Sequence, residues 1–213
     1  LAYSEVAELA YFGANVLHTK CIRPSVEDGA ELWVRNTFEP DAQGTQIVLD
    51  SQKKAGAIRA VTSIPKLSLI TIEGRGMLGI PGVAARAFAA TARSNTNILM
   101  ISQASSEQSI CFLIRKHKAA KVITTLQEEF NEELESREID KITNIDNVVI
   151  ITAVGAGMRY TPGVAGNIFS VLGENKINVI AIAQGSSECS ISFVIAMEDE
   201  KNAVRCIHRL TER

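Results

Sequence analysis

The segment Asn97–Ile114, NILMISQASSEQSICFLI, returns 81 positions later as Asn178–Ile195, NVIAIAQGSSECSISFVI. At the same offset, with no insertion, Thr71 pairs with Thr152, Gly74 with Gly155, Gly76 with Gly157, Met77 with Met158, Pro81-Gly82-Val83 with Pro162-Gly163-Val164, and Phe88 with Phe169. A chain that repeats itself in this way folds as two copies of one module, each of about 75 residues.

Hydrophobic periodicity and turn residues give each copy the same order of elements. The first reads strand Leu67–Ile72, glycine loop Gly74–Gly79, and a helix from Pro81 to about Arg93 with proline at its first helical position. Strand Asn97–Gln103, turn Ala104–Glu107, strand Ser109–Arg115 and a helix from Ala119 to Leu134 follow. The second copy repeats this as Val148–Val154, Gly155–Gly157, Pro162–Leu172, Asn178–Gln184, Gly185–Glu188, Ser190–Ala196 and Glu200–Leu210. The order β-α-β-β-α, twice, predicts an α+β protein of two ferredoxin-like units, with helices on one face of an antiparallel sheet. Each unit needs a fourth strand. Ala57–Val61 and Glu138–Ile142 are available, and the sequence does not assign them.

Upstream, Val6, Leu9, Ala10, Val16 and Leu17 recur at helical spacing and predict a helix from Ser4, its N-cap, to about Leu17. Ala30–Val34 and Gln46–Leu49 read as short strands, and the polar Asp50–Gly56 as a linker. One helix and two strands bury too little apolar surface to stand alone, so this piece is expected to pack on a body outside the chain. The chain opens at Leu1 on a helix-like pattern, which predicts a piece of a longer protein. The expected domains are 1–50, a linker and extra strand over 51–65, 66–144, and 145–213.

Composition removes several function classes. A net charge of −2 and a pI near 6.0 leave no basic stripe for nucleic acid or an anionic membrane. The apolar runs are strand-sized, far short of the roughly 18 residues a membrane span needs, which predicts a cytoplasmic protein. Cys21, Cys111, Cys189 and Cys206 form no CxxC pair, so neither a zinc site nor a redox motif is indicated. No Ser/His/Asp or Cys/His arrangement is present, and His18, His117 and His208 read as capping or surface residues.

Gly74-Arg75-Gly76-Met77-Leu78-Gly79 spells GxGxxG between a strand and a helix. A dinucleotide fingerprint also needs an acid at the end of the next strand, and Asn95–Ile101 has none. The second loop has Tyr160 where the third glycine would stand, so the turn is not expected to require it. A helix N-terminus behind such a loop favours an anion, for which a carboxylate is suited. Gln103 and Gln184 end the neighbouring strands, where an amide can both donate and accept. Spacing alone leaves two readings open, that these glutamines meet a ligand or that they tie down the following turn. Ser105-Ser106-Glu107 and Ser186-Ser187-Glu188 sit in those turns, where hydroxyls commonly satisfy local backbone.

The paired ISQASSEQSI and IAQGSSECSI segments, each behind a G-x-G-M loop and a PGV helix start, resemble the tandem ACT regulatory domains of aspartate kinase, threonine-responsive type. Phe12-Gly13-Ala14-Asn15-Val16-Leu17-His18 and Asn36-Thr37-Phe38-Glu39-Pro40 resemble the end of that family's catalytic domain. The resemblance implies a parent that phosphorylates the β-carboxylate of aspartate with ATP and Mg, in a kinase domain absent here. This piece is then expected to be inactive, to hold no cofactor of its own and to contain no catalytic residue. It implies an effector site at Gln103, Gln184, Gly76, Met77, Pro81, Gly82, Ser105, Gly157, Pro162 and Gly163, for threonine first and lysine second. It also implies a homodimer through the ACT domains, interleaved units in which strand 57–61 completes the second, and a nucleotide contact at Asn15. Similar proteins read FGAKVLHP there, from which Asn15 and Thr19 depart. An alternative is a stand-alone ACT sensor acting on a separate kinase chain.

Overall fold

The computed structural model describes residues 1–14, 17–18, 20–21, 24, 29–49, 58–77, 79–103, 108–185 and 188–211. Two compact units divide the chain, one of Pro65–Val149 and one of Leu1–Ile64 with Ile150–Arg213. Two long strands, β3 (Ala60–Glu73) and β6 (Lys141–Val154), each pass from one unit into the other.

In the unit of the first repeat the strand order is β4-β5-β3-β6, with β4 at Met100–Gln103 and β5 at Ser109–Arg115. β3 runs antiparallel to β5, Leu67 facing Arg115 and Glu73 facing Ser109, while Met100 of β4 faces Leu113. Helices α2 (Val83–Arg93), α3 (Ala119–Glu129) and α4 (Asn131–Glu135) complete the unit. Alternate residues of the strands, Ile70 and Ile72 with Ile110, Phe112 and Ile114, meet Val122, Leu126 and Phe130 in one buried cluster. Each such side chain contributes about 1.5–3 kcal/mol by leaving water. The Phe88 ring stands edge-on to Phe112, centroids 6.0 Å apart.

The unit of the second repeat has the order β3-β6-β8-β7, with β7 at Ala181–Gln184 and β8 at Ser190–Ala196. Its helices are α5 (Val164–Glu174) and α6 (Glu200–His208). Ile168, Leu172, Phe193, Val194, Ile195 and Ile207 are fully buried, and Phe169 meets Phe193 at the same 6.0 Å as its counterparts. The same unit includes α1 (Tyr3–Tyr11) and the antiparallel pair β1 (Leu32–Val34) and β2 (Thr45–Ile47). The upstream piece thus has a body to pack on inside this chain, with Thr62 Oγ1 donating to the carbonyl of Phe12 at 3.0 Å.

The fourth strands are exchanged. Asp140 N donates to Glu73 O at 2.8 Å, and Arg59 N donates to Val154 O at 2.8 Å, a second pair displaced from the first by 81 residues in both members. The segment from Ile58 to Ile64 serves the second repeat as the segment from Ile139 to Ile145 serves the first. Their sequences, IRAVTSI and IDKITNI, extend the repeat upstream of Leu67. At the crossings Lys66 and Asn147, again 81 apart, both take positive φ, 61° and 56°, uncommon for residues with a Cβ.

Several boundaries differ from those expected. α1 is capped by Ala2 and ends at Tyr11, because Gly13 turns left-handed (φ 94°) and Ala14 N closes on Leu9 O. Ser4 is therefore not its cap. Gly82 and Gly163, at φ 93° and 87°, are the N-caps of α2 and α5, which puts Pro81 and Pro162 before the cap rather than at the first helical position. The helix expected over 119–134 breaks at Phe130, whose ring is fully buried. The Asp50–Gly56 linker lies outside the described residues. Among those described, no helix is long and apolar enough to cross a membrane.

Candidate effector site

In the first repeat, β3 ends in a loop folded on itself. Gly74 N donates to Gln108 O at 3.0 Å, Met77 N to Gly74 O at 3.1 Å, and Ile80 N to Met77 O at 3.2 Å. The two faces of this loop do different work. On the inner face Gly76 N donates to Glu138 O at 3.1 Å. A Cβ on Gly74 would come within 2.6 Å of Ile139 Cα, and one on Gly76 within 2.6 Å of Glu138 Cα. Those glycines allow backbone to lie against backbone, the demand a GxG pattern makes without any phosphate.

On the outer face opens a cleft of about 440 Å³, bounded by Met77, Gly79, Ile80, Pro81, Gly82, Val83, Ala84, Gln103 and Ile110. Gln103 reaches it from the exposed end of β4, where it is paired with Ile110 of β5. The first turn of α2 reaches it from the other side, and no described side chain caps that helix. Its leading N–H groups and dipole therefore favour an anionic group in the cleft. None of the described lining residues is charged.

Of the expected site residues, Met77, Pro81, Gly82 and Gln103 come together on this cleft, while Gly76 faces Glu138. Ser105 and Asn15 lie outside the described residues. Ile80, Val83, Ala84 and Ile110 were not singled out from the sequence; their signal was their place in the first turn of a helix and in the strand facing Gln103.

The second repeat keeps the loop with altered detail. Met158 N donates to Gly155 O at 3.1 Å, and Gly163 caps α5 with Asn167 N on its carbonyl at 2.9 Å. Gln184 is exposed at the end of β7, facing Ile191. Gly157 is buried within the 156–158 turn, and Thr161 Oγ1 donates to its carbonyl at 2.9 Å. Tyr160 keeps the left-handed conformation of Gly79, φ 56° against 73°, so the turn does impose that conformation and the tyrosine adopts it. Glu188 holds it there, accepting from Tyr160 N at 3.0 Å, and Arg159 lies over the ring, 4.7 Å from its centre.

Among the described residues no three His, Cys, Asp or Glu side chains converge as metal ligands. The thiol of Cys111, half-buried on β5 and donating to Ser102 O at 3.2 Å, is pushed above its ordinary pKa by burial.

A family model for the ACT domain matches residues 70–130 and, a second time, residues 151–210. The chain belongs to the ACT domain family. Both ACT repeats share further likeness with aspartate kinases. The chain is 40% identical, over 98% of its length, to a bifunctional aspartokinase/homoserine dehydrogenase of Zea mays named as chloroplastic, and spans 23% of that protein. Clostridium acetobutylicum aspartate kinase shares its fold with a TM-score of 0.83 at 24% identity, over 99% of this chain and 47% of that one. E. coli aspartokinase III, solved with lysine and aspartate in a T state, matches with a TM-score of 0.74 at 25% identity, over 98% of this chain and 45% of its own. The likeness read from the sequence motifs therefore extends across both ACT repeats and the piece before them.

Proposed function

We propose that this chain is the regulatory region of an aspartate kinase and that its first ACT repeat binds an end-product amino acid, threonine in preference to lysine. One observation carries the reading: a single cleft brings the amide side chain of Gln103 to the glycine-capped start of α2. A free amino acid would set its carboxylate on the N–H groups of α2 and its hydroxyl on the Gln103 amide. Its methyl group would lie against Ile80 and Ile110. A lysine ammonium would meet no acid among the described lining residues.

The parent enzyme would make 4-phospho-L-aspartate from ATP and aspartate. ATP and Mg would be held by its kinase domain. Effector binding would shift the kinase between two states through a coupling of about 1–3 kcal/mol. β4 and β7, outermost in the strand order, carry the half-exposed Ile101 and Ile182, which supports a homodimer through ACT edges. The cytoplasmic location expected from the sequence stands beside a relative named as chloroplastic.

Calorimetric titration of the chain with threonine and then lysine, with sedimentation to count chains, tests this. Saturable threonine binding, weakened at least about tenfold in Gln103→Ala, is the expected result. Threonine affinity unchanged in that variant would remove the site assignment.

A further inference from the structure

The inner face of each loop is closed by a carboxylate, and the two carboxylates come from different places. In the first ACT repeat Arg75 N donates to Asp140 Oδ2 at 3.3 Å, on the exchanged strand. In the second, the equivalent amide, Ala156 N, donates to Glu5 Oε1 at 2.8 Å. The residue equivalent to Asp140 is Arg59, which has no carboxylate to offer. Helix α1 therefore supplies at the second loop the carboxylate that the segment leading into β6 supplies at the first.

Glu5 is 1% exposed, and both its oxygens are used, Oε2 by Ala2 N at 2.7 Å. A buried carboxylate held by two backbone amides is costly to displace, because the desolvated charge would lose the donors that stabilise it. One turn further along α1, Glu8 Oε2 accepts from Ser190 Oγ at 2.8 Å, next to Cys189, whose carbonyl receives Gly155 N. Two acids of one short helix thus fasten at the start of the loop that leads towards α5, Glu5 to its backbone and Glu8 to the strand that holds Gly155.

We propose that Glu5 makes α1 the mechanical output of the second ACT repeat, so that rearrangement at the start of α5 and the seating of α1 are one linked equilibrium. This rests on the regulatory reading for its purpose, though not for its geometry. The stretch from Gly155 to Gly163 joins β6 to α5 and has Glu5 on the amide of Ala156, so its start cannot shift without either dragging α1 or breaking the Glu5–Ala156 bond. The first repeat has no such link, since its amide is held by Asp140.

The test needs no ligand. Gly163→Ala puts a Cβ into open space but at φ 87°, which strains the helix start without a clash. Hydrogen exchange of amides 3–12 is measured in the wild type, in Gly163→Ala, in Glu5→Gln and in the double variant. The expected result is that Gly163→Ala raises α1 exchange on the order of tenfold and adds nothing in the Glu5→Gln background. Gly82→Ala, the counterpart in the first repeat, should leave α1 unchanged. If Glu5→Gln does not fold, Glu8→Gln replaces it and should cut the Gly163→Ala effect. An α1 indifferent to Gly163→Ala, or equally sensitive with and without Glu5, would overturn the proposal. Adding threonine separates the two readings. Linked exchange without a threonine response refutes threonine as effector and leaves the linkage standing, whereas threonine binding with an unlinked α1 does the reverse.

Discussion

The guanidinium of Arg86, on α2, lies 4.7 Å from the centre of the Phe130 ring, at the break between α3 and α4. It also bonds Glu129 at 2.9 Å and reaches Glu133, while Arg93 reaches Glu129. Hydrogen bonds from Arg86 hold both carboxyls below their ordinary pKa and keep the guanidinium above its own. Because the folded pKa is depressed, the stabilisation is present above the unfolded value of about 4.5 and is lost as pH falls through the folded one. The Arg86 side chain is 43% exposed, so solvent screening holds the worth of this network to about 1 kcal/mol. Arg86→Met should lower the urea midpoint at pH 7 and make a smaller difference at pH 3. An equal difference at both would assign the effect to packing on Phe130 alone.

The glycines of the loop should divide into two classes. Gly74→Ala and Gly76→Ala press a methyl against the backbone of Glu138 and Ile139, and should cost about 1–3 kcal/mol, more if the strand cannot give. Gly79→Ala and Gly82→Ala meet nothing within 4 Å and face only the strain of φ 73° and 93°, about 1 kcal/mol. Denaturant midpoints of the four variants would rank them. The ordering fails if Gly76→Ala is the mildest.

Filling the cleft should separate the two repeats. Ala84→Leu projects from the first turn of α2 into the cleft beside Gln103 and should abolish amino-acid binding with little loss of stability. Ala165→Leu makes the same change in the second repeat. Calorimetric stoichiometry of the two variants assigns each site, and binding undiminished in Ala84→Leu would place the effector elsewhere.

Thiol reactivity follows burial. Cys21 is exposed, whereas burial pushes the thiols of Cys111 and Cys206 up from their ordinary value near 9.0. Since the thiolate is the reacting species, labelling at pH 8 should reach Cys21 first, with Cys111 and Cys206 slower by about tenfold or more until urea opens the fold. Mass spectrometry of a time course reads the order directly. Rapid labelling of Cys206 would show that α6 opens readily.

The element order was legible because apolar side chains at period two and at helical spacing record which face of each strand and helix is buried. Gln103 and the Pro81-Gly82 helix start were legible because they recur at an interval of 81. The exchange of fourth strands was expected only from the family resemblance, which let 57–61 complete the second sheet, because strand pairing between distant segments leaves no local mark in the residues. Pro81 read as a first helical residue because its own φ suits that place, yet the left-handed Gly82 resets the start by two residues. Phe130 carried the helical spacing of its neighbours, and only its burial beneath Arg86 shows why the helix breaks there. The role of Glu5 was not legible, because its partner, Ala156 N, is a backbone group and has no signature in the sequence.

The crossing of β3 and β6 at Lys66 and Asn147 bears on the ancestry of the chain. Gene duplication usually yields two copies that could each have lived alone. Here a single copy, cut near Pro65 or Val149, would carry a half-strand suited to a neighbour and lack the half-strand that completes itself. Two such ancestral chains could have completed one another only by trading those halves, as a domain-swapped pair. Fusion into one polypeptide would then have made permanent a partnership that was once between molecules.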